Sequence, residues 1–311
     1  YHLMLYNGVI YVPYHSNTII GLICSCGFAI AGNYAFLALS VYYLLEAKDK
    51  PVIKKFLSVG IQVFLLYLVK VITLRSMFGY HNQKFFVDLF LMHGAWWYIY
   101  AYLILMLLYP LLNYILDYAK ERLLLVFTIV LGAAVAFNGL TNMYYLGNDV
   151  VIFVFVYLLM GMMKRNQYQT ILGIPNKKRF LVPMILFIYG VILAICIYVK
   201  RPVSGMENET ANEIVRHLIG RYNIFTCLMG IFIFFTFFSL NIKSSHLINI
   251  LAKATFYVFL LHDTIMGIFW KLGYLTPEIS NLSRHTFVAG IVIYIVCCFI
   301  IGLIFHMVYQ W

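Results

Sequence analysis

The chain has 311 residues, of which 64% are hydrophobic, 18% aromatic and only 11% charged, with mean hydropathy +0.90 and a formal net charge of +11. Soluble chains average about 45–50% apolar and 25% charged residues, so this composition excludes a soluble globular fold and defines an all-α, polytopic membrane protein. The positive charge marks loop topology, because no basic stripe with interleaved aromatics lies outside the apolar runs, and nucleic acid is excluded as a partner.

The chain opens on an apolar scrap, YHLMLYNGVIY, with neither a basic n-region nor a small-residue cleavage site. It reads as the tail of a transmembrane helix whose first half is missing. Nine full spans are expected after it, at 19–45, 54–74, 95–116, 122–140, 149–163, 180–199, 221–240, 252–270 and 286–309. With the fragment, the expectation is about ten helices, with nine and eleven as alternatives because 149–163 is short and the first span partial, in one domain covering 1–311. The loops around Lys48–Lys55, Lys120–Arg122, Lys164–Arg179 and Lys243–Lys253 carry more Lys and Arg than the alternate set. The positive-inside rule therefore predicts that both termini are cytoplasmic.

Taken in order, the second span carries Gly27, Ala31, Ala35 and Ala38 at a spacing of about one turn. Small residues so spaced let helices approach closely, and packing is the expected role of this face. Ser40 lies toward the cytoplasmic end and can bond a ligand or its own backbone. Lys54 and Lys55 then open a helix on the cytoplasmic side, where cations add to the helix N-terminal field and suit phosphates. In a membrane protein such lysines also serve topology and contact anionic lipid.

From Phe85 to Asn113 the chain is dense in aromatics, with Trp96, Trp97, Tyr98, Tyr100 and Tyr102 where a span enters from outside. An interfacial belt explains them; a wall for an acceptor sugar is the alternative. Pro110 is expected to kink or end this helix, and Asn113 to sit one turn beyond, at a helix end. The six cysteines fall within apolar runs, and neither a disulfide framework nor a metal site is expected.

The run AKATFYVFLLHDTIMGIFW, Ala252 to Trp270, holds His262 and Asp263 at its middle. That is near the centre of a hydrocarbon core about 30 Å thick. Ionisable groups there are costly and usually face the bundle interior. Adjacent on a helix, the two side chains diverge by about 100°, so each is expected to find its partner on another span. His2 alone says nothing.

Four stretches, in order, resemble the bacterial acyltransferase 3 family of membrane O-acyltransferases. WWYIYAYLILMLLYPLLN is similar to its Trp-Phe-x-x-x-Tyr segment with a Pro-x-Leu-Asn-type end. AKATFYVFLLHDTIMGIFW is similar to its late (Thr/Ser)-Phe-x-x-Tyr-Leu-x-His segment, with Phe259 where tyrosine is common. NYAFLALSVYYLLEA resembles its Phe-Phe-x-x-Ser-Gly-Tyr-x-Leu stretch, with Val41 in place of the glycine, and NDVVIFVFVYLLMGMMKR resembles its Tyr-x-x-Gly helix.

The resemblance implies transfer of an acyl group, usually acetyl from acetyl-CoA, to a hydroxyl of a cell-envelope glycan at the bacterial cytoplasmic membrane. It implies His2 as the catalytic base. Lys54 and Lys55 stand where the family has paired arginines implicated with CoA, but the Arg-x-x-Arg spacing is lost, since Ser58 stands three residues beyond Lys55. Ser40, Trp96, Trp97, Tyr102, Asn113, His262 and Asp263 complete the expected cavity. The rival readings are a secondary transporter or flippase with a His262–Asp263 proton relay, and an acyltransferase-like protein without activity. No inverted repeat or paired broken helices support the transporter.

Overall fold

A computed structural model describes residues 30–47, 52–78, 97–141, 146–200, 224–240, 245–271 and 284–310. Those residues are helical almost throughout, and no strand occurs among them. The helices are α1 (Ile30–Glu46), α2 (Val52–Phe78), α3 (Trp97–Tyr118), α4 (Glu121–Thr141) and α5 (Leu146–Arg165), followed by the single turn α6 (Gln169–Leu172). Then come α7 (Asn176–Lys200), α8 (Ile224–Phe238), α9 (His246–Lys271) and α10 (Arg284–Gln310). Each expected full span thus overlaps one helix of the described residues. Val52–Thr73, Trp97–Tyr118 and His285–Val308 are long and apolar enough to cross a membrane, while Ile224–Phe238 and Ile248–His262 are shorter apolar segments.

Outward faces are as apolar as inward ones. On α4, Leu123, Val126, Ile129 and Val130 are exposed, and on α10 so are Val292, Val296, Ile300 and Ile304. Contiguous apolar surface on this scale requires an apolar surround, which a bilayer supplies.

The residues group into two compact units. In the first, which holds α1 and α3 to α8, the expected small-residue face of α1 packs α8. A Cβ added at Gly230 of α8 would come 2.3 Å from Tyr34 Cβ, 2.7 Å from the Ala31 carbonyl oxygen and 2.8 Å from the Ala35 amide nitrogen. The backbones touch because the contact residues lack bulk. Helix α5 presents a stripe with a four-residue period to α3. Phe153 meets Tyr98, Tyr157 meets Asn113 and Tyr109, Gly161 takes the Leu116 side chain, and Arg165 reaches the Leu116 carbonyl.

In the second unit, α9 and α10 approach at Gly302, where an added Cβ would meet Val258 Cγ2 at 2.6 Å and the Ala254 carbonyl at 3.3 Å. The hydroxyl of Tyr294 donates to the His262 carbonyl at 3.0 Å, and the rings of Tyr257 and His306 lie 5.8 Å apart.

Of the kink or helix end expected at Pro110, the end does not occur. Helix α3 runs through Pro110, which is exposed, to Tyr118, so Asn113 lies inside the helix and is buried. Proline lacks an amide hydrogen, and the preceding carbonyl it leaves free does not stop a helix that is packed on both sides of the kink position.

Candidate active site

Helix α5 ends in a turn that sets one end of the first unit. The Tyr168 amide donates to the Met163 carbonyl and the Gln167 amide to the Lys164 carbonyl, both at 2.8 Å. This is the paired bonding of a Schellman motif. It needs a left-handed residue, and Gln167 (φ 55°) and Tyr168 (φ 60°) both adopt that conformation without being glycine. The turn throws Tyr168 inward, where it is 6% exposed, with its ring 5.3 Å from Phe235 and 5.8 Å from Tyr42. Tyr42 in turn contacts Phe234 and Phe238, at 5.8 and 5.0 Å. Burial pushes the Tyr168 phenol above the ordinary tyrosine range, and the charge of Glu46 and the phenol of Tyr42 act in the same direction.

Three cations of this connection close the carbonyl ends of three other helices. Lys164 Nζ donates to the Leu45 carbonyl at 2.6 Å and pairs with Glu46 at 3.1 Å, at the end of α1. Arg165 donates to the Leu116 and Ala119 carbonyls at the end of α3. Arg179 donates to the Phe235 carbonyl at 3.3 Å, at the end of α8. Helix C-termini expose unpaired carbonyls and partial negative charge, so cations satisfy them in both respects. The ends of α1, α3, α5 and α8 therefore share one face of this unit. The alternation of spans read from the sequence requires that grouping.

Above this end, Ser40 Oγ lies 3.5 Å from the Tyr98 hydroxyl. Tyr98 stacks on Tyr102 with ring centroids 6.5 Å apart and contacts Phe36 and Phe153 at 5.5 and 5.1 Å. Tyr98 is 2% exposed and Tyr102 8%, so these two face the bundle and not the membrane interface. Trp97 is half-buried beside Tyr98 and Phe153. Asn113 lies about 16 Å beyond Tyr102 along the helix at 1.5 Å per residue. Its Oδ1 accepts from the Tyr157 hydroxyl at 2.8 Å. Ser40, Trp97 and Tyr102 thus meet around Tyr98, and Asn113 pairs separately with Tyr157, both groups lying in the first unit. Tyr98 carries its signal in the sequence, four residues before Tyr102 on the same helical face. Tyr157 does not, because one tyrosine among apolar residues looks like core.

Lys54 and Lys55 are exposed in the opening turns of α2, as expected from their position. His262 turns its Nδ1 back to the Phe259 carbonyl at 2.6 Å, and the Tyr294 hydroxyl of α10 donates to the His262 backbone carbonyl. Asp263 belongs to α9, with its side chain outside the described set; His2 and Trp96 lie outside the described residues.

These features define a helical membrane protein whose interior carries hydroxyls and stacked aromatics. A family model for the acyltransferase 3 domain matches residues 2–303, and the chain belongs to that acyltransferase family. No curated protein and no solved structure matches it at the level applied. It is a membrane acyltransferase by family.

Proposed function

We propose that the chain transfers an acetyl group from cytoplasmic acetyl-CoA to a hydroxyl of a cell-envelope glycan at the bacterial cytoplasmic membrane. The observation that carries this reading is the cluster of half-buried Ser40 with buried Tyr98 and Tyr102. It offers three hydroxyls and a stacked pair of rings within an acyltransferase bundle, the surface chemistry that receives a saccharide's alternating C–H faces and hydroxyls. In this reading His2 is the base. Its neutral imidazole takes the acceptor hydroxyl's proton as that oxygen attacks the thioester carbonyl, and the C–S bond breaks to release CoA thiolate, which then takes up a proton. Base catalysis of this kind is worth about 10²–10⁴-fold. Desolvation keeps a histidine unprotonated and available. Lys54 and Lys55 are assigned to the phosphates of CoA, as point charges where the family has arginines. Trp96, Trp97 and Asn113 extend the acceptor surface, and His262 with Asp263 shapes the cavity.

The experiment follows radiolabelled acetyl from acetyl-CoA into envelope glycans in membranes containing the protein. Wild type labels glycan, His2→Ala loses at least about 100-fold, and His262→Ala loses less. Equal labelling by wild type and His2→Ala removes the assigned base, and no labelling by wild type removes the donor and acceptor assignment.

A further inference from the structure

Helix α7 begins Asn176-Lys177-Lys178-Arg179 after Pro175, with no acidic residue in its first turn. That composition runs against the helix field, whose N-terminus is already positive and favours anions. The Lys178 and Arg179 amides bond the Pro175 carbonyl, at 2.8 and 3.0 Å. The amides of Asn176 and Lys177, at the helix start, have no acceptor within the helix. Lys177 and Lys178 are exposed, and a positive-inside surface accounts for them alone.

It does not account for Arg179. This side chain is only 4% exposed, and its guanidinium is held over the first turn by the Asn176 side chain and by the Phe235 carbonyl. Its Nε–H is buried and has no acceptor. No carboxylate among the described residues forms an ion pair with it; Glu46, at the end of α1, pairs with Lys164 instead. A buried cation with an unused donor, at a helix N-terminus that already bears two further cations, calls for an anion. The Tyr168 phenol, packed on the Phe235 ring, is a second buried donor without an acceptor.

We propose that the N-terminal turn of α7 is a phosphate-binding site, formed by the first amides of the helix, Lys177, Lys178 and Arg179. The ligand class is a phosphate ester. A soluble phosphoester and an anionic phospholipid headgroup offer the same oxygens and the same charge, and the site rests on neither the acyl donor nor the acceptor proposed above.

The test uses the full chain in phosphatidylcholine nanodiscs. One arm titrates inorganic pyrophosphate by calorimetry; the other adds phosphatidylglycerol to the discs and counts retained lipid by native mass spectrometry. Wild type binds in at least one arm, and the responding arm identifies the source of the phosphate. The double variant K177Q/K178Q, changed only at exposed positions, weakens that binding at least about tenfold, roughly the weight of one charge-assisted hydrogen bond. Arg179→Met weakens it further if the variant folds. Absence of binding in both arms, or K177Q/K178Q binding as tightly as wild type, overturns the site whatever Arg179→Met does.

Discussion

The Tyr157 hydroxyl donates to Asn113 Oδ1 at 2.8 Å, joining α5 to α3 inside the bundle. Both residues are buried, so deleting either leaves a polar group without its partner. Hydrogen bonds between membrane helices are worth about 0.6 kcal/mol on average and up to about 2. Asn113→Leu is expected to cost more, about 1–3 kcal/mol, because it strands the phenol. The double variant Asn113→Leu/Tyr157→Phe recovers part of that loss, and a mutant cycle in mild denaturant measures it. Strict additivity of the two single losses refutes the coupling.

Gly230 is the point where α8 rests on the backbone of α1. A methyl group there meets a carbonyl oxygen and an amide nitrogen, not the end of a side chain that could swing away. Gly230→Ala should therefore destabilise by at least about 1–3 kcal/mol. Gly60→Ala on α2, where an added Cβ meets nothing within 4 Å, is the control and should leave stability unchanged or slightly raised. Thermal unfolding of both in detergent decides it; similar midpoints for the two variants contradict the close approach.

Gln167 occupies the left-handed position of the turn that ends α5. A side chain in that conformation costs roughly 1–2 kcal/mol relative to glycine. Gln167→Gly should stabilise the protein by about 1 kcal/mol, less the entropy that glycine regains on unfolding. Gln167→Ala should not, since alanine keeps the Cβ. Equal stability of the Gly and Ala variants would show that the conformation is not strained.

Tyr168 links stability to alkaline pH. Its folded-state value is raised above 10.0, first by burial, then by Glu46 and Tyr42. Below that ordinary value both states hold the proton and nothing changes. As pH rises past it, the unfolded chain ionises while the folded chain does not, so stability falls. Tyr168→Phe lacks this contribution. The gap in unfolding midpoint between Tyr168→Phe and wild type should widen from neutral pH to about pH 11; a constant gap contradicts a buried phenol.

The helices were legible because each is a long apolar run between polar breaks, and the packing role of Ala31 and Ala35 followed from their spacing. The ends were less so. Pro110 left a kink and a terminus both open, because proline's local effect is visible in a sequence while packing on either side is not. Lys164, Arg165 and Arg179 read as topological charges, since their acceptors are backbone carbonyls, which carry no residue-type signature. Gln167 hid the Schellman turn because glycine is the residue that announces it. Within the candidate site, the aromatic face of α3 was readable from its period. The meeting of Ser40 with Tyr98 was not, because it depends on how α1 and α3 lie against each other.

The bond from Lys164 to the Leu45 carbonyl spans 119 positions. Chains grow from the N-terminus at about 5–20 residues per second. For several seconds after α1 and α3 have left the ribosome, the cations that close their carbonyl ends do not yet exist. Arg179, the last of the three, arrives before its own acceptor on α8 has been made. The first unit therefore matures only when the connection from α5 to α7 has been synthesised and α8 has followed. A ribosome stalled before residue 164 would leave two helices in the membrane with open ends, exposed to the quality-control proteases that recognise unfinished chains.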